Sequence, residues 1–219
     1  MSVTEVVTDP PLSGRVALVT GAADGVGRAC AVALARAGCH VAACDEAGEW
    51  AEPLAETAAM CARASGRGQA FLADVTIAED VERLWVAVTA ALGAPVVLVN
   101  GAGLPPMLPL GETSPDQWRA AVRAHLDAAF YCARAVLPAM RAAGFGRILN
   151  VAHMPTGEAL VSLARTLARE EAPHGITVNA IVAGDARPEE IARVVAFLAS
   201  PASESITGAR IRVGAATPL

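Results

Sequence analysis

The sequence predicts an α/β fold in which one doubly wound parallel sheet of about seven strands carries helices on both faces. Short apolar runs rich in β-branched residues alternate with Ala-, Leu- and Arg-rich stretches of helical length, the pattern of repeated βαβ units. The helical stretches end at glycines, which can take the left-handed conformation that closes a helix. The predicted strands are 16–20, 40–44, 70–73, 96–100, 147–151, 176–181 and 210–213.

The composition is that of a globular domain with small-molecule or protein partners. Of the 219 residues, 54% are hydrophobic and 18% are charged, which excludes a disordered or fibrous chain. The net charge of -5 gives no positive electrostatic potential that would attract nucleic acid or anionic lipid, so we expect neither as a partner.

We assign residues 1–12 to a flexible N-terminal tail and residues 13–219 to a single domain.

The sequence shows no targeting pattern and no metal-binding pattern. The tail contains Glu5 and Asp9 and no apolar run, so we expect neither a signal peptide nor a membrane span. The five cysteines form no CxxC pair and no zinc spacing, which predicts reduced, mostly buried thiols and no metal site. We therefore expect a cytoplasmic protein.

The longest predicted helix begins with a clear start signal. Ser114 is the expected N-cap, Pro115 takes the first helical position, and Gln117 completes a capping box. We expect the helix to reach about Ala143 with a bend near Pro138, because proline cannot donate a backbone hydrogen bond.

A glycine-rich turn, TGAADGVG, follows the first predicted strand. Gly21 permits the tight turn, Gly25 lets the backbone approach a pyrophosphate, and Gly27 lets the next helix pack closely on the strand. The free N–H groups at the start of that helix, around Val26, suit phosphate oxygens. Asp45 directly follows the second predicted strand, 24 positions after Gly21, where a carboxylate can bind an adenosine ribose. These features predict a Rossmann-type domain with a dinucleotide site.

Four motifs resemble those of the short-chain dehydrogenase/reductase family and occur in the family's order. They are TGAADGVG, ADV at 73–75, NGAG at 100–103 and LAREEAPHGITVNAIVAG. The resemblance implies that Asp74 holds the adenine amino group and that Val75 supplies backbone to the ring. It also implies that Asn100, Gly101 and Ala102 lie under the cofactor and stabilise the central strand.

The charges of the predicted site favour NAD over NADP. Asp24 and Asp45 would both repel a 2'-phosphate, and Asp45 could bind a 2'-hydroxyl instead. Because only pyrophosphate and adenosine contacts are recognisable, we expect NAD to bind weakly. The alternative is that the loop only caps a helix in a protein that no longer binds nucleotides.

The residues that the family uses for hydride transfer are missing from their expected positions. The family uses a tyrosine as general acid/base, a lysine one helical turn later that lowers the tyrosine pKa, a serine that orients the substrate carbonyl, and an asparagine that holds a water relay. This chain contains no lysine, and its one tyrosine, Tyr131, lies in the long predicted helix. Alignment of the motifs places His153 at the serine position and His125 at the asparagine position. Too few residues then remain before the next helix for the tyrosine and the lysine.

A second shortening follows the stretch NAIVAG. The family has there a threonine that contacts the nicotinamide and a loop that covers the substrate. In this chain Asp185, Ala186 and Arg187 lead directly into the next predicted helix. We expect no lid, so that water is not excluded from any reaction centre.

The sequence leaves three functional interpretations open. The first is a degenerate family member without carbonyl reductase or alcohol dehydrogenase activity that acts as a structural or regulatory subunit. The second is a non-redox enzyme, such as a dehydratase or cyclase, in which His125 and His153 transfer protons. The alternative explanation is that these two histidines arose by neutral substitution in a pocket that no longer functions. The third is an NAD-dependent oxidoreductase completed by a partner subunit.

Two predicted helical faces favour an oligomer. They consist of Leu160, Leu163 and Leu167 on one helix and of Ala128, Ala129, Cys132 and Ala135 on the long helix. In the family, the same two helices pair with their copies in a neighbouring subunit. Because a soluble monomer seldom exposes such patches, we expect a homo-oligomer or a mixed oligomer with an active relative.

Overall fold

The computed structural model describes residues 10–101, 110–152 and 157–214. In these segments seven parallel strands form one sheet in the order β3-β2-β1-β4-β5-β6-β7. The strands are β1 (Val16–Thr20), β2 (His40–Asp45), β3 (Gly68–Leu72), β4 (Pro95–Asn100), β5 (Gly146–Ala152), β6 (Ile176–Ala183) and β7 (Arg210–Val213).

Helices cover both faces of the sheet, which confirms the predicted fold class. They are α1 (Gly25–Arg36), α2 (Ala51–Ser65), α3 (Ala78–Leu92), α4 (Pro115–Val122), α5 (Ala128–Ala143), α6 (Gly157–Glu171) and α7 (Pro188–Ala199). One face carries α1, α2 and α7, and the other carries α3, α5 and α6. None of the helices in the described segments is long and apolar enough to cross a membrane.

The central strands are apolar along their whole length because both faces of the sheet are covered. Val16 and Leu18 of β1 pack with the layer of α3, α5 and α6. Ala17 and Val19 point to the opposite face and pack with α1, α2 and α7. Successive strand residues thus fill two cores, as expected for a buried parallel sheet.

Some strand boundaries differ from the sequence-based ones. β2 continues to Asp45, and β5 spans Gly146–Ala152 because it pairs with β6 over its full length. β3 begins and ends earlier than predicted, at Gly68–Leu72, because these residues pair with Val41–Asp45 of β2. The partner strand, rather than the local apolar pattern, determines these ends.

The packed domain begins before residue 13. Leu12, which the sequence assigns to the flexible tail, is fully buried in the core, and its N–H donates to the carbonyl of Ala37 at 3.0 Å. Leu12 therefore packs with the domain, and the division of the chain into a tail and a single domain stays a prediction. Residues 1–9 lie outside the described residues, so a tail there stays a prediction.

The long predicted helix is two α-helices joined by a π-helical turn. Its capping box is confirmed, since the Gln117 N–H donates to the Ser114 hydroxyl and the Ser114 N–H donates to the Gln117 side chain. The π-helical turn at Arg123–Asp127 separates α4 from α5, and α5 continues through Pro138. Apolar spacing did not indicate this turn, which contains His125.

The predicted association faces are largely buried within the chain itself. Four of their residues lie in its own core, namely Ala128, Ala129, Cys132 and Leu160. Helix α5 packs on β4 and α3, and its small residues permit this close approach. Leu163 and Leu167 are half-buried and also contact the core. These residues therefore pack mainly within the chain, and the two faces do not by themselves indicate a subunit contact.

The prediction of reduced, buried cysteines is confirmed. All five are free and buried. Burial raises the pKa of Cys30 and of Cys132 to about 12 and that of Cys61 to about 11. Because the thiolate is the reactive form, these groups are poor nucleophiles at neutral pH.

A bidentate ion pair joins the ends of α5 and α6. Arg141 Nε donates to Glu171 Oε2 at 2.8 Å, and Arg141 Nη2 donates to Glu171 Oε1 at 2.5 Å. Glu171 is only 1% exposed. The hydrogen bonds from Arg141 lower the pKa of the Glu171 carboxyl, and this effect exceeds the opposing effect of burial.

We predict that Glu171→Gln lowers the free energy of unfolding by about 2 kcal/mol at neutral pH, because it removes a charge-assisted pair. The pKa of Glu171 is lower in the folded than in the unfolded chain. The stabilisation is therefore present above the unfolded pKa and is lost as the pH falls through the folded pKa. Urea unfolding at several pH values measures this difference.

The control for this experiment is Glu170→Gln, which makes the same charge change at an exposed neighbouring position. It should alter the free energy of unfolding by less than about 0.5 kcal/mol. A Glu171→Gln effect that does not diminish in acid would contradict the role of the ion pair.

Candidate functional site

The candidate site lies at the carboxyl edge of the sheet, between β1 and β4. From β1 the chain adds β2 and β3 on one side and then crosses to β4 on the other. β1 and β4 are therefore the neighbouring strands at which the direction of the strand order reverses, and open α/β sheets bind ligands in the crevice at such a point. Thr20 and Asn100 are the last residues of these two strands.

Glycines permit the close turn between β1 and α1. Gly21 and Gly25 have φ values of 64° and 50°, in the left-handed region that favours glycine. A Cβ on Gly27 would lie 1.9 Å from the carbonyl oxygen of Gly21. A Cβ on Gly101 would lie 2.8 Å from the carbonyl oxygen of Thr20. The start of α1 and the end of β4 are thus both held against the end of β1.

Two N–H groups of the turn are bound to β2. The Ala22 N–H donates to the carbonyl of Cys44 at 3.1 Å, and the Ala23 N–H donates to Asp45 Oδ2 at 2.9 Å. These bonds fix the turn relative to the end of β2. As a result, Asp45 Oδ2 already accepts a hydrogen bond from within the protein.

The first turn of α1 has N–H groups that no side chain caps. Asp24 is the N-cap residue, but its exposed carboxylate makes no capping hydrogen bond. The N–H groups of Gly25 and Val26 have no acceptor within an α-helix. These are the donors that would hold a pyrophosphate, and the helix dipole favours the anion there.

Carboxylates gather where β2 and β3 end. Asp45 Oδ1 accepts from the Glu46 N–H at 3.0 Å, and Asp74 Oδ1 accepts from the N–H and hydroxyl of Thr76 at 2.8 and 2.7 Å. Val75 beside them is buried. Burial raises the pKa of Glu46, and the charges of Asp74 and Asp45 raise it further. This negative charge would repel a 2'-phosphate, whereas carboxylates accept hydrogen bonds from ribose hydroxyls.

Glu46 is a residue of this cluster that the sequence-based site does not include. Its position directly after Asp45 is a signal that could have identified it.

Polar side chains join the ends of the central strands. Asn100 Nδ2 donates to Asn150 Oδ1 at 2.8 Å between β4 and β5. The Gly101 N–H donates to Thr20 Oγ1 at 3.2 Å between β4 and β1. The floor of the crevice is therefore cross-linked. Ala102, also predicted to lie under the cofactor, is outside the described residues.

The region of the predicted reaction centre is closely packed in the described residues. His125 in the π-helical turn is 7% exposed. With Thr20, Asn100 and Leu160, it lines a cavity of about 10 Å³, the size of about one water molecule. His153 lies outside the described residues. A shared cavity for the two imidazoles therefore stays a prediction.

The connections that follow β5 and β6 are short. β5 ends at Ala152 and α6 begins at Gly157, so only residues 153–156 connect them. β6 ends at Ala183 and α7 begins at Pro188. Among the described residues, no group of three His, Cys, Asp or Glu side chains could hold a metal ion.

The sequence profile of the short chain dehydrogenase family matches residues 15–194, which contain the glycine-rich turn, the carboxylates and the π-helical turn. The chain belongs to the short-chain dehydrogenase/reductase family. Members of this family typically bind NAD or NADP and commonly form oligomers.

Relatives with similarity over nearly the whole chain include named oxidoreductases. Short chain dehydrogenase/reductase astE of Aspergillus oryzae is 32% identical over 248 residues, covering 92% of this chain and 94% of that protein. The 3-oxoacyl-[acyl-carrier-protein] reductase FabG of Pseudomonas aeruginosa is 32% identical over 242 residues, covering 92% of this chain and 96% of that protein. A Burkholderia xenovorans crystal structure assigned to the short-chain dehydrogenases/reductases superposes with a TM-score of 0.86 at 29% identity. The match covers 93% of this chain and 96% of that chain.

The carboxylate cluster leads to a prediction about cofactor choice. NAD should bind more tightly than NADP, and Asp45→Asn should improve NADP binding by about tenfold, because one negative charge near the 2'-phosphate is removed. Asparagine retains an oxygen that can accept from the Ala23 N–H. Isothermal titration calorimetry measures both affinities.

Glu82→Gln, an exposed carboxylate of α3, is the charge-matched control and should leave both affinities unchanged. NADP binding as tight as NAD binding in the wild-type protein would show that the cluster does not face the ribose.

Proposed function

We propose that this chain is a nucleotide-binding member of the family that does not reduce carbonyl groups and serves as a structural or regulatory subunit. The adenosine half of the site consists of the α1 N-terminus, Asp45, Asp74 and Val75. It would hold NAD weakly, because only the pyrophosphate and adenosine contacts offset the cost of ordering the ligand.

The single observation that carries this proposal is the absence of lysine from all 219 residues. A phenol with a pKa of about 10 exchanges its proton poorly at neutral pH unless a nearby cation stabilises the phenolate. An arginine would supply positive charge, but it is permanently protonated and cannot replace a lysine as a proton shuttle.

The position of the only tyrosine supports the same conclusion. Tyr131 lies within α5, packs against the core, and has its ring 5.7 Å from that of Phe130. The family's tyrosine would be expected after β5, in the region where residues 153–156 lead into α6.

The lengths of the alignments support a shortened reaction centre. The alignment with the Aspergillus oryzae relative extends over 248 positions, more than the 219 residues of this chain. The relative therefore contains residues without a counterpart here. The brief connections after β5 and β6 are where the family resemblance places the missing segments.

A second candidate function is an NAD-dependent oxidoreductase whose catalytic residues come from a partner subunit. The names of the relatives, which include a reductase and a dehydrogenase/reductase, favour this candidate. The remaining interpretation is a proton-transfer enzyme that uses His125 and His153. Among the described residues, those around His125 enclose a cavity of only about 10 Å³, which is too small for a substrate.

We predict that the purified protein oxidises no NADH or NADPH with a panel of ketones and aldehydes, because it lacks the acid/base pair. Absorbance at the reduced-nicotinamide band measures turnover, with the Pseudomonas aeruginosa reductase as positive control. Turnover that survives repurification and disappears in Asp45→Ala would contradict the proposal, because it would belong to this site.

We also predict self-association through the outer surface of α5. Phe130 is 48% exposed there, and Trp118 of α4 is 42% exposed. Phe130→Glu should shift the protein toward smaller species in sedimentation velocity, since it places a charge in an apolar contact.

The control is Val86→Glu, which changes an apolar side chain of α3 that is 66% exposed and should leave association unchanged. A wild-type monomer at micromolar concentration would contradict the homo-oligomer, and a co-purified relative would favour the mixed one.

A further inference from the structure

The side chain of Arg28 contacts the glycine-rich turn at Ala23. Its Nε donates to the carbonyl of Ala23 at 2.9 Å, and its Nη2 also donates to that oxygen. The N–H of Ala23 donates to Asp45 Oδ2. Ala23 is therefore held at both its N–H and its carbonyl, in the middle of the turn.

The Arg28 side chain is itself anchored to α2. Nη2 donates to the carbonyl of Pro53 at 3.1 Å, and Nη1 lies 3.8 Å from Glu56 Oε2. The side chain is 30% exposed. Its planar guanidinium thus bridges two backbone carbonyls that belong to different elements, a geometry that an ammonium group cannot reproduce.

The backbone of Arg28 fixes the other end of the turn. Its N–H donates to the carbonyl of Asp24 at 2.9 Å, which makes this the first hydrogen bond of α1. The residues between Ala23 and Arg28 include Gly25 and Gly27, which lack the side-chain restraint of other residues. Rigidity of the turn must therefore come from contacts outside the glycines.

We propose that Arg28 is a positioning residue of the nucleotide site. By fixing the Ala23 carbonyl to α2, it sets where the N–H groups of Gly25 and Val26 lie relative to Asp45. The pyrophosphate donors and the ribose acceptor are then held at a fixed separation before the ligand arrives, which reduces the ordering cost of binding. This inference rests on the proposed nucleotide-binding function.

An electrostatic effect of Arg28 gives a different expectation. A positive charge near the pyrophosphate would increase affinity without fixing the turn, and a lysine would provide the same charge. The variants Arg28→Met and Arg28→Lys separate the two effects. Arg36→Met removes an exposed arginine at the far end of α1 and is the control for charge and helix content.

The test measures amide hydrogen exchange of Ala23 in the ligand-free protein and NAD affinity by calorimetry. Arg28→Met should accelerate exchange at Ala23 and weaken NAD binding, each by about tenfold, the equivalent of one or two hydrogen bonds. Arg28→Lys should also weaken binding measurably, and Arg36→Met should change neither quantity.

Each result has a distinct meaning. Unchanged exchange at Ala23 in Arg28→Met would overturn the positioning role, whatever happens to affinity. An Arg28→Lys protein with wild-type affinity and wild-type exchange would also overturn it and would assign the effect to charge. If the wild-type protein binds no NAD, the proposed function fails. In that case the exchange measurement still decides whether Arg28 holds the turn.

Discussion

The candidate site depends on how closely helix α1 approaches the end of strand β1. Only a residue without a Cβ fits at position 27, because any Cβ would overlap the carbonyl of Gly21. This approach places the N-terminus of α1 beside the carboxyl edge of the sheet. Gly101 allows the end of β4 to pack equally closely on Thr20. The position of the uncapped helix end and the floor of the crevice are therefore consequences of one backbone packing arrangement, reinforced by the contacts of Arg28 and Asp45 with Ala23.

The two halves of the crevice differ in what the chain provides. On the β2 and β3 side, Asp45 and Asp74 supply acceptors, and nearby Glu46 adds negative charge. On the β5 and β6 side, Leu160 packs near His125 around a cavity of only about 10 Å³. This division is the physical basis of the proposal: the adenosine end of a nucleotide has candidate contacts, while the described residues of the other half include no tyrosine beside a lysine.

Much of the fold was predictable because its signals are local. Strand cores follow from β-branched runs, the start of α4 follows from Ser114, and the glycine-rich turn follows from three glycines in sequence. Features that depend on partners distant in the chain were not predictable. The burial of Leu12 requires the packed end of α1, and the π-helical turn inserts an extra residue per turn that apolar spacing does not reveal. The small residues of α5 pack on its own sheet, and apolar spacing alone did not distinguish that contact from a contact with another subunit. Likewise, the contact of Arg28 with Pro53 depends on how α2 folds back against α1.

The most direct test of the central claim is a crystal structure of this chain grown or soaked with NAD. We expect density for adenosine and pyrophosphate, with ribose hydroxyls on Asp45 and phosphate oxygens on the N–H groups of Gly25 and Val26. We expect no lysine or tyrosine in contact with the nicotinamide. Absence of bound nucleotide at millimolar NAD would contradict the retained half-site. A well-ordered nicotinamide enclosed by catalytic residues of a neighbouring subunit would contradict the proposal that the chain does not take part in hydride transfer.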